Sequence, residues 1–308
     1  MVNYQTKNFG RKDMENRADA EALRKLGMIE QRQEGLFALR VHGVAGDFTP
    51  EQLRKIADVA QKYGKGLIHL TGRQGAEIHS VPRMYLESAT KEIESLGMAS
   101  GASGPFVHVT ASCPGNATCK RGVIETKEIT RRLDEKYFRL DMPHRFRMSV
   151  TGCPNNCARA TENEIGVMGA IEPRWQKSEC YNCGACVYAC PVGAITVTDG
   201  QYVVDRARCT NCGTCASSCP NAAWTAAKRG YVLWAGGMMG KVPRLATKLP
   251  VLFASKDALF DAINRVIEYY RAYGKRGERL GDMMERVGTE SFLAQVMGDE
   301  GDPTISSG

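Results

Sequence analysis

Twelve cysteines dominate the chemistry that this 308-residue chain can perform. Eight of them fall in a repeat. Cys180-Tyr-Asn-Cys-Gly-Ala-Cys-Val-Tyr-Ala-Cys-Pro191 recurs 29 residues later as Cys209-Thr-Asn-Cys-Gly-Thr-Cys-Ala-Ser-Ser-Cys-Pro220. Two-residue spacers let three thiolates wrap one iron–sulfur cube, and the fourth cysteine of such a run ligates the other cluster. The spacing therefore predicts one 4Fe–4S cluster on Cys180, Cys183, Cys186 and Cys219. It predicts a second on Cys209, Cys212, Cys215 and Cys190. Zinc also takes all-cysteine sites, but it needs neither the terminal Cys-Pro nor an exchanged fourth ligand. The other four, Cys113, Cys119, Cys153 and Cys157, read C-x5-C and C-x3-C in Gly/Pro/Asn-rich loops. Thiolates presented from two loops can hold one more cubane. The alternative is four buried free cysteines.

The elements that must position these loops are readable in outline. Leu36–His42 reads as a strand. Thr49, Pro50 and Gln52 open a helix with a capping box, and Leu53, Ile56, Val59 and Ala60 line its face until Gly64. A strand is expected at Leu67–Thr71 and a helix at Val81–Leu96. After the linker 100–105 come a strand at Phe106–Thr110, a helix at Arg121–Tyr137 and a strand at Phe146–Thr151. Ser255–Tyr273 is a further amphipathic helix. These divide into an extension at 1–29 (helical from Glu15 to Leu26), a half domain at 30–100 and a cluster-bearing domain at 101–174. A two-cluster insert covers 175–221, the cluster-bearing domain resumes over 222–298, and a disordered tail fills 299–308.

Composition bounds the setting. Hydrophobic residues make up 43% and charged residues 24%, as in a globular protein with a real core. No apolar run is long enough to span a membrane, and the polar start has no signal-peptide h-region, so a cytoplasmic protein is expected. Thiols there stay reduced, which favours metal over disulfides. The net charge of +7 suits an anionic cofactor or substrate. No Lys/Arg run of the kind that forms a nucleic-acid tail is present.

The order of motifs resembles one family. Cys113-Pro-Gly-Asn-Ala-Thr-Cys119, followed by Val150-Thr-Gly-Cys-Pro-Asn-Asn-Cys157-Ala-Arg159, resembles the sirohaem–4Fe–4S motif of sulfite and nitrite reductases. Leu70-Thr-Gly-Arg-Gln74 looks like its T-x-R-Q segment, and Trp234-Ala-Gly-Gly-Met-Met-Gly-Lys-Val-Pro-Arg244 like its glycine-rich segment. The whole is similar to the sirohaem subunit of anaerobic sulfite reductase and to short dissimilatory-type relatives, over residues 30–250. The resemblance implies an α+β sulfite/nitrite reductase half-repeat with an inserted two-cluster ferredoxin domain, carrying sirohaem and three 4Fe–4S clusters. It implies that Cys157 also bridges to the sirohaem iron. The carboxylates of that cofactor need cationic partners, and Arg73, Gln74, Lys241 and Arg244 match family segments near it. Lys120 and Arg121 follow a cluster loop and join them.

In the family, two arginines and two lysines ring the substrate. Here Arg40 matches the first arginine, the lysine pair falls on Arg145 and Arg147, and the second arginine falls on His108. Strand alternation would put Arg145 and Arg147 on one face. Arginine holds oxyanions bidentately but does not deprotonate, whereas histidine titrates near neutrality and can deliver a proton. The implied function is reduction of sulfite to sulfide, with electrons passing through the ferredoxin clusters. Alternatives are nitrite reduction to ammonia at the same centre, a polyferredoxin without a substrate site, and a cofactor-binding regulatory or maturation protein. Larger relatives contain two such repeats, so a homodimer is expected here. An electron-donor subunit or ferredoxin is also expected, because no nucleotide fingerprint opens a helix.

Overall fold

A computed structural model describes residues 19–297. The expected tail, and residues 15–18 of the expected N-terminal helix, lie outside the described residues; 19–25 are helical. The chain forms two compact units. Of the described residues, the first comprises 19–109 together with Asp134–Phe146, and the second comprises Thr110–Leu133 and 147–297.

The first unit is an antiparallel sheet covered by two helices. Strands β1 (Met28–Glu30), β2 (Leu36–His42), β3 (Ile68–Leu70) and β4 (Ala76–Pro82) lie in the order β1-β2-β4-β3, and β5 (Ala99–Ser100) also pairs with β2. β2 contributes Phe37, Leu39 and Val41 to the core. The helix Pro50–Tyr63 begins as expected: Gln52 N donates to Thr49 Oγ1 at 3.2 Å, and Thr49 N to Gln52 Oε1 at 3.0 Å. Its buried stripe is Ile56, Val59 and Ala60; Leu53, in the first turn, stays 48% exposed. β4 replaces the start of the helix expected at Val81. Pro82 biases Val81 towards extended backbone, so a tight turn at Arg83–Tyr85 intervenes and the helix runs only from Leu86 to Glu94.

The second unit holds a mixed sheet in the order β12-β11-β8-β7-β6. β6 (Ala111–Ser112) and β7 (Met148–Thr151) run parallel to each other and to β8 (Ile165–Trp175), while β11 (Trp224–Ala235) runs antiparallel to β8. β12 (Thr247–Lys248) closes the edge. The strand expected at Phe106–Thr110 is reduced to bridges at Phe106 and Val107. The helix expected from Arg121 starts at Thr126. Residues 119–125 are instead wound against the Cys113 loop, where Gly122 N donates to Cys119 O and Val123 N to Gly152 O. A Cβ on Gly122 would lie 2.4 Å from Asn116 N, so only glycine allows that approach. The helix Lys256–Tyr273, capped by Ser255, buries Leu259, Ile263, Val266, Ile267 and Tyr270.

The cysteine repeat sits at the far end of the β8/β11 hairpin, entered after Trp175 and left before Trp224, which are paired. It adds a hairpin of β9 (Ile195–Thr198) and β10 (Gln201–Val204) and a small core of Cys186, Ile195, Tyr202, Cys215 and Trp224.

Candidate functional site

The four non-repeat cysteines stand where parallel strands end. Cys113 follows β6, and Cys153 follows β7. Gly152 N donates to Cys113 Sγ at 3.0 Å. Burial pushes the Cys153 thiol up, and the charges of Cys113, Cys157 and Cys119 push it further, so the four thiols share one electrostatic neighbourhood. Cys119 and Cys157 are exposed.

The repeat cysteines separate into two exchanged sets. Cys186 is pushed up mainly by burial, with the Trp224 indole against its sulfur pulling the other way and Cys219 adding to the rise. The Tyr181 phenol is raised first by desolvation, then by its hydrogen bond with Cys183 and the charges of Cys183, Cys219 and Cys180. So Cys219, from the second run, stands with Cys180, Cys183 and Cys186. Reciprocally, Cys190, Cys209, Cys212 and Cys215 line one small cavity. Burial pushes Cys215 up to about 12, reinforced by Cys212 and Cys209. Cys212 is also raised by burial, but hydrogen bonds from Thr214 and Thr210 outweigh that and leave it below its ordinary value. Gly184 and Gly213 both adopt left-handed backbone (φ 74° and 70°), preceded two residues earlier by left-handed Asn182 and Asn211. Backbone N–H groups point at the sulfurs: Asn211 N, in the second turn, donates to Cys209 Sγ at 3.4 Å, and Ala194 N, in the loop after Cys190, donates to Cys190 Sγ at 3.2 Å.

In each set one thiol, Cys153, Cys186 or Cys215, is raised chiefly by burial, which disfavours its thiolate until cationic iron compensates. N–H donors aimed at sulfur stabilise the anionic form that iron binds. The residues therefore fit 4Fe–4S clusters. A zinc site would draw its sulfurs around one ion at roughly 2.3 Å. Among the described residues no group of three or more His, Cys, Asp or Glu could hold a metal ion in that way.

In the first unit, a cavity of about 70 Å³ is lined by Arg40, Thr71, Arg73, Gly101, Ala102 and His108, among others. Among the described residues no carboxylate lines it. The Thr71–Gly75 turn shapes one wall: Thr71 N donates to Gly75 O, and the Thr71 hydroxyl accepts from Arg73 N and Gly75 N. Arg73 Nη2 donates to Val109 O at 2.6 Å. His108 Nε2 donates to Gly104 O at 3.0 Å, which fixes the proton on that nitrogen. Sequence-predicted Arg40, His108 and Arg73 thus meet in one place. Gln74 does not line this cavity; it is exposed, at φ 63°, with its side chain against Gly46.

In the second unit Arg147 is anchored by Glu164. Its backbone N donates to Glu164 Oε2 at 2.9 Å and its Nε lies 3.7 Å from that oxygen, while Arg279 takes Glu164 Oε1. Arg145 is exposed and belongs to the first unit. The expected alternation does not hold, because Phe146 makes only an isolated bridge and β7 starts at Met148. Lys120, Arg121 and Lys241 are exposed, and no salt bridge pairs them with a carboxylate among the described residues, which suits a polyanionic cofactor. Arg244 differs: its charge is matched by Asp282 at 3.3 Å and Glu285 at 2.7 Å. A second cavity of about 660 Å³ brings Arg121 and Pro154–Asn156 together with Cys209, Cys212, Trp234 and Lys248. Burial lowers the Lys248 ammonium. Lys248, Glu77 and Glu164 escaped sequence reasoning. A lone lysine on a two-residue edge strand has no pattern, and the two glutamates acquire meaning only through cross-strand or long-range partners.

Comparison with known proteins agrees with this chemistry. The model of the nitrite and sulphite reductase 4Fe-4S domain matches residues 103–303, and that of the nitrite/sulfite reductase ferredoxin-like half domain matches residues 29–96. The chain is 34% identical to the coenzyme F420-dependent sulfite reductase of Methanocaldococcus jannaschii over 88% of its own length, but spans only 44% of that relative. It is 27% identical to the alpha subunit of the dissimilatory-type sulfite reductase of Allochromatium vinosum, covering 92% of this chain and 74% of the subunit. Among solved structures, dissimilatory sulfite reductase I superposes with a TM-score of 0.71 at 23% identity, over 89% of this chain and 71% of that one, a likeness of fold.

Proposed function

This chain belongs to the nitrite and sulphite reductase family, and from that premise we propose that it reduces sulfite to sulfide as a sirohaem-dependent enzyme. The observation that carries the reading is the small cavity in which Arg40, Arg73 and His108 converge, with no carboxylate in the wall among the described residues. A pocket of about 70 Å³ lined by two arginines suits a compact oxyanion. Cys113, Cys119, Cys153 and Cys157 would hold one 4Fe–4S cluster, and Cys157, exposed, would also ligate sirohaem. The two exchanged sets in the insert hold two more. When bound, these groups supply a metal for the sulfur atom and the single electrons that reduce it. Arg40 fixes an oxyanion through guanidinium N–H donors. His108, whose Nε2 donates to Gly104 O, lines the same cavity and would assist protonation of the substrate. Arg73, Lys120, Arg121 and Lys241 match cofactor carboxylates. Arg145 and Arg147 complete the set of substrate cations, Arg147 with its backbone N–H bonded to Glu164 and its Nε 3.7 Å from the same carboxylate.

The sulfite assignment follows the relatives named sulfite reductase; nitrite reduction is the second reading at the same centre. Association into a homodimer and electron supply by a separate donor protein are part of the proposal. Among the described residues no helix is long and apolar enough to cross a membrane. Anaerobically purified protein should show sirohaem absorption and form sulfide from sulfite with reduced methyl viologen, faster than it forms ammonia from nitrite. Absence of the haem bands, or of sulfide, would sink the proposal.

A further inference from the structure

Arg40 does not stand alone in its cavity wall. It is one end of a ladder that crosses three strands of the first sheet. In register, Arg40 on β2 lies opposite Glu77 on β4, and Glu77 lies opposite His69 on the edge strand β3. Arg40 Nε donates to Glu77 Oε1 at 2.6 Å. The other oxygen, Oε2, lies 3.2 Å from His79 Nε2, and the His69 and His79 rings stack at 5.8 Å. The Glu77 side chain is only 13% exposed, against 34% for Arg40. Burial pushes its carboxyl up, but Arg40 and then His79 outweigh that and hold it below the ordinary range, so it is a carboxylate.

We propose that Glu77 is a positioning residue, which holds the Arg40 guanidinium in the orientation that takes the substrate oxyanion. The inference deepens the reading of Arg40 given above and rests on it. The placement of the carboxylate is what carries it. Glu77 is absent from the lining of the cavity and grips Arg40 from behind it. A carboxylate inside the cavity would repel an oxyanion; one behind the wall offsets mutual repulsion of the Arg40 and Arg73 guanidiniums without competing for the anion. The grip also leaves donors free in a defined direction. Nε is taken by Glu77, and one Nη1 proton points to Ala102 O at 3.5 Å. Both Nη2 protons remain for a ligand. The backbone is arranged around the same side chain: a Cβ on Gly101 would lie 2.7 Å from Arg40 Cβ, so glycine makes the room in which the guanidinium is set. An arginine with several rotatable bonds would otherwise lose orientational entropy on each binding event, and a preset fork lowers that cost.

The test is a double-mutant cycle in the holoenzyme, with two readouts. Equilibrium sulfite affinity is taken from the change in sirohaem absorption on titration, and steady-state kinetics are measured with reduced methyl viologen. Glu77→Ala should weaken sulfite binding and raise KM by about tenfold, with kcat changed less than about threefold. Glu77→Asp, which keeps the charge, should recover part of the affinity. Arg40→Ala should weaken binding at least as much, and Arg40→Ala/Glu77→Ala should be no worse than Arg40→Ala alone. Thermal unfolding of every variant is recorded beside these. A loss from Glu77→Ala that persists undiminished in the Arg40→Ala background overturns the inference. So does a Glu77→Ala protein with a lowered unfolding temperature and unchanged sulfite affinity, because that is a purely structural glutamate. If Arg40→Ala itself leaves affinity and KM unchanged, the assignment of Arg40 to the substrate fails, and Glu77 falls with it.

Discussion

Replacing Glu164 by alanine should be among the most damaging single changes in this chain. Glu164 is fully buried and sits between two cations. It accepts from the Arg147 backbone at 2.9 Å and pairs with the Arg279 guanidinium, whose side chain is 9% exposed. A hydrogen bond to a charged group contributes about 1.5–3 kcal/mol. Removing one partner of a buried pair costs about 3–5 kcal/mol, because the other charge is left uncompensated. Arg279 has little water to fall back on, so the upper part of that range applies. For a unit of this size each kcal/mol moves the unfolding midpoint by roughly 2–4 °C, and the drop should be on the order of 10 °C. The measurement is calorimetry or near-UV circular dichroism of reconstituted protein under anaerobic conditions, at one scan rate. A paired replacement, Glu164→Leu with Arg279→Leu, removes both charges and should regain most of the loss. The reasoning is refuted if Glu164→Ala shifts the midpoint by less than about 2 °C, or if the paired variant is worse than the single one.

Cys153→Ala should remove one of three clusters, lowering iron from roughly twelve to roughly eight per chain, with the insert clusters retained in the electron paramagnetic resonance spectrum; loss of all iron would contradict the separation into three sets. Gly166→Ala places a Cβ 2.0 Å from Ala160 O, backbone that cannot move without disturbing β8, and should cost about 2–4 kcal/mol by overpacking and strain; an unchanged melting curve would be incompatible with the packing of Ala160 on β8. Glu278 is held at about 2, first by its hydrogen bond with Arg286 and also by Lys275 N, against a burial effect that raises it. A depressed carboxyl stabilises fully above its unfolded value, near about pH 4.3, and the contribution is lost as pH falls towards about 2. Glu278→Gln should therefore destabilise at about pH 6 by no more than about 1 kcal/mol, since the pair is at the surface, and should match the parent protein near about pH 2.

Local spacing carried most of the cluster chemistry. The repeated cysteine runs alone imply the exchange of Cys190 and Cys219, since chain connectivity allows a short run to wrap only three corners of a cube. The capping box at Thr49–Gln52 and the stripe on Lys256–Tyr273 were equally legible, because they depend on neighbours within one helical turn or face. Where register or packing decides, legibility ended. Nothing local marks Ala76–Pro82 as a strand rather than the approach to a helix. Yet that strand puts Glu77 opposite Arg40 and brings His79 to the same carboxylate. Arg145 and Arg147 look alike two residues apart, and only the tertiary structure separates an exposed side chain from a half-buried one beside Glu164. Arg244 stands in a motif that suggests a cofactor carboxylate, and the helix Leu280–Val287 supplies Asp282 and Glu285 instead. The sequence by itself determined which atoms can bind iron, because ligand identity and short spacers are local properties of the chain. The fold decided which cations remain available for an anion, because that depends on where distant carboxylates come to rest.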